Sequence, residues 1–222
     1  MVTSSKTKAQ RIGIWIIAVV MTIGTIGSFM VVALSNDNQK IDKVRGEQLL
    51  SEYQAQAAEY NVKVQVQADE LSKQYFDSFN QYSGLPSVFN KDTVKDLVKT
   101  DIKVGDGAEI KEGDSFTAYY IGWNPSGEVF DGSIDGDKLK APFTAEPGGV
   151  IQGWTEGALG MKIGGVRELT IPSDLAYGET GSGDKIPANT PLKFVVMLIN
   201  QPDTIVQPEV SDELYKYYQN TQ

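Results

Sequence analysis

Residues 12–35, IGIWIIAVVMTIGTIGSFMVVALS, run for 24 positions without one charged side chain. No other stretch restricts the chain so strongly, because so long an apolar helix is not at home in water. At roughly 1.5 Å per residue it reaches about 36 Å, enough to cross a hydrocarbon core of about 30 Å with some tilt. Trp15 lies near one end, where an indole suits the headgroup level. Lys6, Lys8 and Arg11 precede the run with no acidic residue among them. The positive-inside rule therefore places residues 1–11 in the cytoplasm and everything after residue 35 outside. The alternative is a cleaved signal peptide, for which Ala33-Leu34-Ser35 offers a small-x-small pattern. A secretory apolar core is typically about 7 to 15 residues, and this run is much longer. The expectation is a single-pass anchor in the cell membrane, with the lipid bilayer as a partner and the working part extracytoplasmic.

The remaining composition excludes whole classes of chemistry. The 222 residues contain no cysteine and no histidine. Disulfides, thiolate metal sites, thiol nucleophiles, imidazole bases and histidine-ligated metals are all ruled out. The net charge is −9; since residues 1–11 carry +3, the rest carries −12. A surface that neutralises phosphates is not expected from such a chain, and nucleic acid is not an expected partner. At 41% hydrophobic and 22% charged, the composition is that of a folding chain.

Residues 36–84 are polar, glutamine-rich and poor in glycine. Leu50, Tyr53, Ala57, Tyr60, Val64, Ala68, Leu71, Tyr75, Phe79 and Tyr82 recur at a mean spacing of about 3.6, the helical period. Ser83-Gly84 and Pro86 supply a stop. The alternation of Val62, Val64 and Val66 reads as a short strand, but the longer helical pattern runs through it. A helical stalk is expected, serving either as a spacer or as a homodimer seam. Two stripe positions are alanine and no clean Leu/Ile heptad appears, which favours the spacer. Residues 205–222 are expected to form a tail in which Ser211 caps a short helix, with acidic residues in the first turn and tyrosines that either pack on stalk or domain or stay solvated at the surface.

A domain is expected over residues 85–204, and from about residue 97 its texture changes to strand runs punctuated by Gly, Pro and Asp. Residues 115–121, 166–171 and 192–199 read as strands, and Pro125-Ser126-Gly127 as a turn. One short helix fits, around residues 152–159, closed by Gly160 and by Gly164-Gly165. Many strands around one helix make an α+β domain.

In order along this region stand Ala118-Tyr-Tyr-Ile-Gly122, Val129-Phe-Asp131, Pro142-Phe143, Val150-Ile-Gln-Gly-Trp154 and Glu156-Gly157. Met161-Lys-Ile-Gly164, Ile171-Pro-Ser-Asp-Leu-Ala-Tyr-Gly178, Ile186-Pro187 and Leu192-Lys-Phe194 follow. Together they resemble the FKBP-type peptidyl-prolyl cis-trans isomerase family over residues 97–201, roughly half of the chain. The resemblance implies an FKBP-like antiparallel sheet wrapped around one short helix, here preceded by a transmembrane helix and a long helical stalk.

It also implies a proline pocket. Trp154 is its floor, and Tyr120, Phe130, Phe143, Val150, Ile151, Tyr177, Ile186 and Phe194 are its walls. Asp131 lies at the rim, the Ile151 backbone N–H donates to the bound peptide carbonyl, and the Tyr177 hydroxyl faces the substrate. Of these, Tyr120, Phe130, Asp131, Trp154, Tyr177 and Phe194 are the implied catalytic residues. Phe143, Val150, Ile151 and Ile186 are the implied substrate-binding ones. Taken singly, Phe143, Phe194 and Val150 would be core, Asp131 a turn residue, and Tyr177 a half-buried strand-end tyrosine. The loop 131–143 is longer than the compact family form and the loop 143–150 shorter. Lys138 and Lys140 are the candidate basic partners of Asp131. Ser182 stands where many members have histidine.

The implied activity is catalysed rotation of X-Pro bonds in unfolded or extended polypeptides, assisting the folding of exported proteins. Rapamycin-type macrolides are the implied inhibitors, and neither cofactor nor metal is implied. A non-catalytic peptide-binding chaperone, or a stalk protein whose domain has lost activity, are the alternatives.

Overall fold

The segment FTAYYIGW at residues 116–123 is apolar or aromatic at nearly every position, so a strand built from it must be covered on both faces. In the computed structural model, which describes residues 37–220, it is an interior strand of an antiparallel sheet. The strands are β1 (Val98–Lys103), β2 (Phe116–Trp123), β3 (Val129–Gly132), β4 (Ile134–Asp135), β5 (Lys138–Leu139), β6 (Phe143–Ala145), β7 (Val166–Ile171) and β8 (Leu192–Ile199). The helices are α1 (Asp37–Asn80), α2 (Gln152–Ala158) and α3 (Asp212–Asn220). The sheet order is β1-β7-β8-β2-β3, with β6 also on the β2 edge, while β4 and β5 make a separate hairpin. β2 pairs with β8 from Thr117↔Ile199 to Trp123↔Lys193. Its other edge is divided between β6 and β3. The three strands expected from the sequence are β2, β7 and β8.

Alternation along a strand sends successive side chains to opposite faces. On one face Phe116 and Ala118 of β2, Leu169 and Ile171 of β7, and Phe194, Val196 and Leu198 of β8 share a core with Trp154 and Ala158 of α2. That short helix lies flush on β7: a Cβ on Gly157 would stand 2.6 Å from Leu169 Cδ1, and one on Gly153 would overlap Ile171. Only glycine permits so close an approach. Arg167 is buried beside it, with its guanidinium donating to the Gly157 and Leu159 carbonyls at 2.7 and 3.0 Å and to both Asp101 oxygens at 2.6 and 3.1 Å. One side chain thus ties the edge strand β1 and the end of α2 to β7.

The opposite face carries Tyr119, Ile121 and Trp123 of β2 with Val195, Met197 and Ile199 of β8. It is covered by Phe79, with Tyr75, Phe76, Tyr82, Leu85 and Phe89 packed around it. Burial here pushes the Tyr119 phenol up to about 12. The compact unit that contains the sheet therefore begins at Ala68 and runs to Pro202. The domain start expected at residue 85 would cut away the cover of this face. The physical reason is that an apolar stripe and an apolar sheet face each need a partner, and each supplies the other's.

The second unit is built from residues 37–67 of α1 and from 203–220. The helix continues through Val62, Val64 and Val66, so the strand-like alternation there is not realised. The tail lies along the helix: Gln67 Nε2 donates to the Asp203 carbonyl at 2.8 Å, and Arg45 grips Glu213 through Nε and Nη2 at 3.2 and 3.1 Å. From residue 67 back to 45 a helix covers about 33 Å at 1.5 Å per residue. From 203 to 211 an extended chain covers about 26 Å at 3.3 Å per residue, and the first residues of α3 with the Arg45 and Glu213 side chains span the remainder. The segment is therefore nearly fully extended and antiparallel to α1, until Ser211 Oγ accepts from Leu214 N–H at 3.2 Å and starts α3. Leu214 is buried, which places the tail on the stalk.

Among the described residues no helix is long and apolar enough to cross a membrane. The run 12–35 and the basic segment 1–11 lie outside the described residues.

Asp101 provides a test of the Arg167 tie. Its hydrogen bond to Arg167 holds the carboxyl below its ordinary 3.8, outweighing the opposing effect of burial. A depressed folded value stabilises the fold above the unfolded value and loses that contribution as pH falls through the folded one. Asp101→Asn should lower the urea midpoint at pH 7, with the gap to wild type closing below about pH 4. A gap unchanged between pH 7 and pH 3 would refute this role.

Candidate functional site

Trp154 is the third residue of α2, whose N-cap is Ile151 in extended conformation, with φ −60° and ψ 149°. The Ile151 carbonyl accepts from Trp154 N–H at 3.0 Å, fixing the first turn against the sheet. The indole is therefore delivered to the β2–β8 face by a helix that cannot shift without opening its glycine contacts.

Three rings meet the indole edge-on: Tyr120 at 5.1 Å between centroids, Phe194 at 5.4 Å and Phe143 at 5.7 Å, with interplanar angles of 86°, 86° and 87°. Phe116 stacks on it at 6.2 Å and 22°. Phe130 meets Phe194 at 5.5 Å and 84°. Edge-to-face contacts of this kind add about 0.5–1.5 kcal/mol each beyond the area they bury, so the cluster is stiff. Trp154, Phe194 and Ile186 are buried. Tyr120, Phe130, Phe143, Val150, Ile151 and Tyr177 are half-buried and pack against that core, leaving part of each side chain to solvent. All nine apolar residues expected at the site thus come together in one cluster. A cavity of about 330 Å³ lined by Phe89, Val94, Val98, Thr170 and Lys193 contains none of them. Ring geometry, and not cavity volume, marks the site.

The polar groups sit at the rim. The Tyr120 hydroxyl donates to Asp131 Oδ2 at 2.5 Å, and the Gly132 N–H donates to Oδ1 at 2.8 Å. The basic partner expected for Asp131 is not found among the described residues, since the Lys140 ammonium donates to the Gly132 carbonyl instead, at 2.9 Å. A phenol on the neighbouring strand supplies what a lysine was expected to supply, because Asp131 on β3 lies beside Tyr120 on β2. Burial raises the Tyr120 phenol far above its ordinary value, and the Asp131 hydrogen bond raises it further. Tyr177 is raised by burial first and by the nearby Asp131 charge second. Both remain neutral hydrogen-bond donors throughout the physiological range.

Tyr177 follows a 3-10 turn at Ser173–Leu175. Its loop is closed by Gly181 N–H on the Tyr177 carbonyl at 3.2 Å and by Ser182 N–H on the Ile186 carbonyl at 2.7 Å. Ser182 holds the loop through its backbone, so the position does not need a histidine side chain for that.

Two residues escaped the sequence reading. Phe116 stacks under the indole, and Gly122 leaves the space that two rings occupy: a Cβ there would lie 2.6 Å from Phe194 Cε1 and 2.7 Å from Phe130 Cζ. The signal was present, since 116, 118, 120 and 122 share one face of β2 and a glycine inside a strand marks close approach. Gly122→Ala should displace both rings and weaken ligand binding at the site at least tenfold, about 1.4 kcal/mol, with the sheet intact by circular dichroism. Unchanged affinity would remove Gly122 from the site.

Residues 107–199 match the family model described as FKBP-type peptidyl-prolyl cis-trans isomerase. The chain is 43% identical over 103 residues to the FK506-binding protein of Neisseria meningitidis serogroup A, covering 46% of this chain and 94% of that protein. It is 44% identical over 108 residues to the probable FK506-binding protein of Corynebacterium glutamicum, covering 48% of this chain and 87% of that one. It is 44% identical over 104 residues to FK506-binding protein 4 of Rhizopus delemar, covering 47% of this chain; there it spans only 27% of the relative's length.

Proposed function

The chain belongs to the FKBP-type peptidyl-prolyl cis-trans isomerase family, and we propose that it catalyses the rotation of X-Pro bonds in extended polypeptides at the Trp154 cluster. The observation that carries this reading is the indole met edge-on by Tyr120, Phe143 and Phe194, with half-buried side chains around it. This is a dry aromatic seat for a pyrrolidine ring, with donors only at its rim.

The chemistry needs little more. An X-Pro bond favours trans by only about 0.5–1 kcal/mol, yet exchanges over tens to hundreds of seconds. The barrier, roughly 18–20 kcal/mol, comes from amide resonance. At the twisted transition state that resonance is lost and the amide becomes less dipolar. An apolar seat disfavours the planar, dipolar ground state more than the twisted one, which is binding that discriminates in favour of the transition state. The Ile151 N–H, at the extended N-cap of α2, holds the peptide carbonyl, and the neutral Tyr177 hydroxyl donates a second hydrogen bond. Asp131 keeps the Tyr120 ring oriented against the indole. No proton leaves either partner, so the rate should not follow the titration of any side chain between pH 6 and pH 9.

The full chain should accelerate proline-limited refolding of a denatured protein, and a rapamycin-type macrolide should inhibit it. Tyr177→Phe removes one hydroxyl and keeps the ring, so the rate should fall roughly two- to tenfold with the melting temperature unchanged. Phe130→Ala should lower macrolide affinity and rate together. If that variant melts far lower but keeps its rate per folded molecule, Phe130 is core. Suppressed aggregation without any rate enhancement would replace the enzyme with a peptide-binding chaperone.

The site is held outside the cytoplasm by residues 12–35, where it serves exported polypeptides. The support is the 24-residue uncharged run and the preceding Lys6, Lys8 and Arg11. External protease on intact cells should remove the isomerase domain and spare the N-terminal tail. A protein beginning at residue 36 and free in the medium would exclude the anchor.

A further inference from the structure

The segment between Asp131 and Phe143 is a braced arm. β4 and β5 pair as Ile134↔Leu139 and Asp135↔Lys138, leaving a two-residue turn led by Gly136 at φ 62°. Glycine in the first turn position suits a tight hairpin of this length. At its root the Ser133 N–H donates to the Tyr120 carbonyl at 2.8 Å, and Ser133 Oγ accepts from the Tyr120 N–H at 2.9 Å. The Lys140 N–H closes the hairpin on the Ser133 carbonyl at 2.8 Å. The root is therefore bonded to the backbone of the residue whose hydroxyl holds Asp131.

The other end of the arm is seated on α1. Leu139 is 3% exposed and Ser72 is 6% exposed, and the Leu139 N–H donates to Ser72 Oγ at 2.8 Å. Leu139 is buried in the cluster with Phe79, and Ile134, Tyr75 and Phe76 pack against it. A buried hydroxyl that accepts one backbone N–H of a surface hairpin is a specific seat, since loss of that acceptor leaves a buried donor without a partner. Ser72 also lies well before residue 107, where the family match begins.

We infer that Ser72 and Leu139 are positioning residues: α1, acting through the β4–β5 hairpin, sets the Tyr120–Asp131 rim and the approach to Phe143. This inference rests on the isomerase reading above. The segment before the family domain is then part of the substrate grip as well as the cover of the sheet. Seating the hairpin fixes Ser133, Ser133 fixes the Tyr120 backbone, and the Tyr120 hydroxyl in turn holds the Asp131 carboxylate.

The test compares the full chain with Ser72→Ala and Ser72→Thr. Alanine is the strongest helix former, so Ser72→Ala keeps α1 and removes only the acceptor. In Ser72→Ala, KM for a proline peptide and Kd for a rapamycin-type macrolide should each rise roughly three- to tenfold, the ratio for one lost hydrogen bond. Amide exchange at Tyr120, Ser133 and Lys140 should quicken, and Ser72→Thr should restore all three readouts. A Ser72→Ala protein whose KM and Kd stay within about twofold of wild type overturns the inference, even if its melting temperature drops or its exchange quickens. If the wild-type chain catalyses nothing, the isomerase reading falls by itself. Exchange at the Tyr120 and Ser133 amides then decides the coupling: faster in Ser72→Ala supports it, and unchanged overturns it.

Discussion

Strand β2 is buried on both faces, and most of the molecule follows from that constraint. Its backbone is hydrogen-bonded to β8 along one edge and to β6 and β3 along the other. Phe116, Ala118 and Tyr120 point to one side, and Tyr119, Ile121 and Trp123 to the other. A strand of this kind needs two covers. The short helix α2 is the first, and it can lie close enough only because Gly153 and Gly157 face β7. The C-terminal part of α1 is the second, which makes the apparent stalk a structural part of the sheet unit.

The site is a by-product of the first cover. Trp154 enters the β2–β8 face because it stands in the first turn of a helix docked by glycines. Phe194 from β8, Tyr120 from β2 and Phe143 from β6 then meet it from three strands. Because these strands are neighbours in the sheet, their side chains converge without any loop having to be ordered for the purpose. The polar groups are confined to the rim, where burial keeps the phenols of Tyr120 and Tyr177 neutral. A reaction that needs a dry seat and oriented donors, and no proton carrier, is consistent with a chain that has neither histidine nor cysteine.

The long helix serves two partners with a single period. Its stripe continues from Leu50 to Phe79, but residues up to 67 belong with the tail 203–220 and those from 68 belong with the sheet. The tail reaches back along the helix because an extended chain rises about twice as far per residue as a helix does. The short run from 203 to the start of α3 is therefore enough to reach back along most of the 22 helical residues between Gln67 and Arg45. The Arg45–Glu213 pair is exposed and adds little by itself. The buried Leu214 holds that end of the tail.

What could be read from the sequence is what local chemistry determines. The 3.6 period of residues 50–82, the three long strands, the short helix around 152–159 and the Ser211 cap each rest on neighbours within a few positions. The family pattern named nine apolar residues as a candidate site, and the fold brings all nine into one cluster. Tertiary structure decided the rest, because it depends on pairs distant in sequence. The partner of Asp131 is Tyr120 and not Lys138 or Lys140, since strand pairing sets β3 beside β2 while Lys140 turns to a carbonyl. The stripe's partners, the role of Gly122 as space for two rings, and the seating of Leu139 on Ser72 are likewise long-range. A period announces that a face will be buried. It does not carry the identity of what buries it, which is settled only when the chain closes on itself.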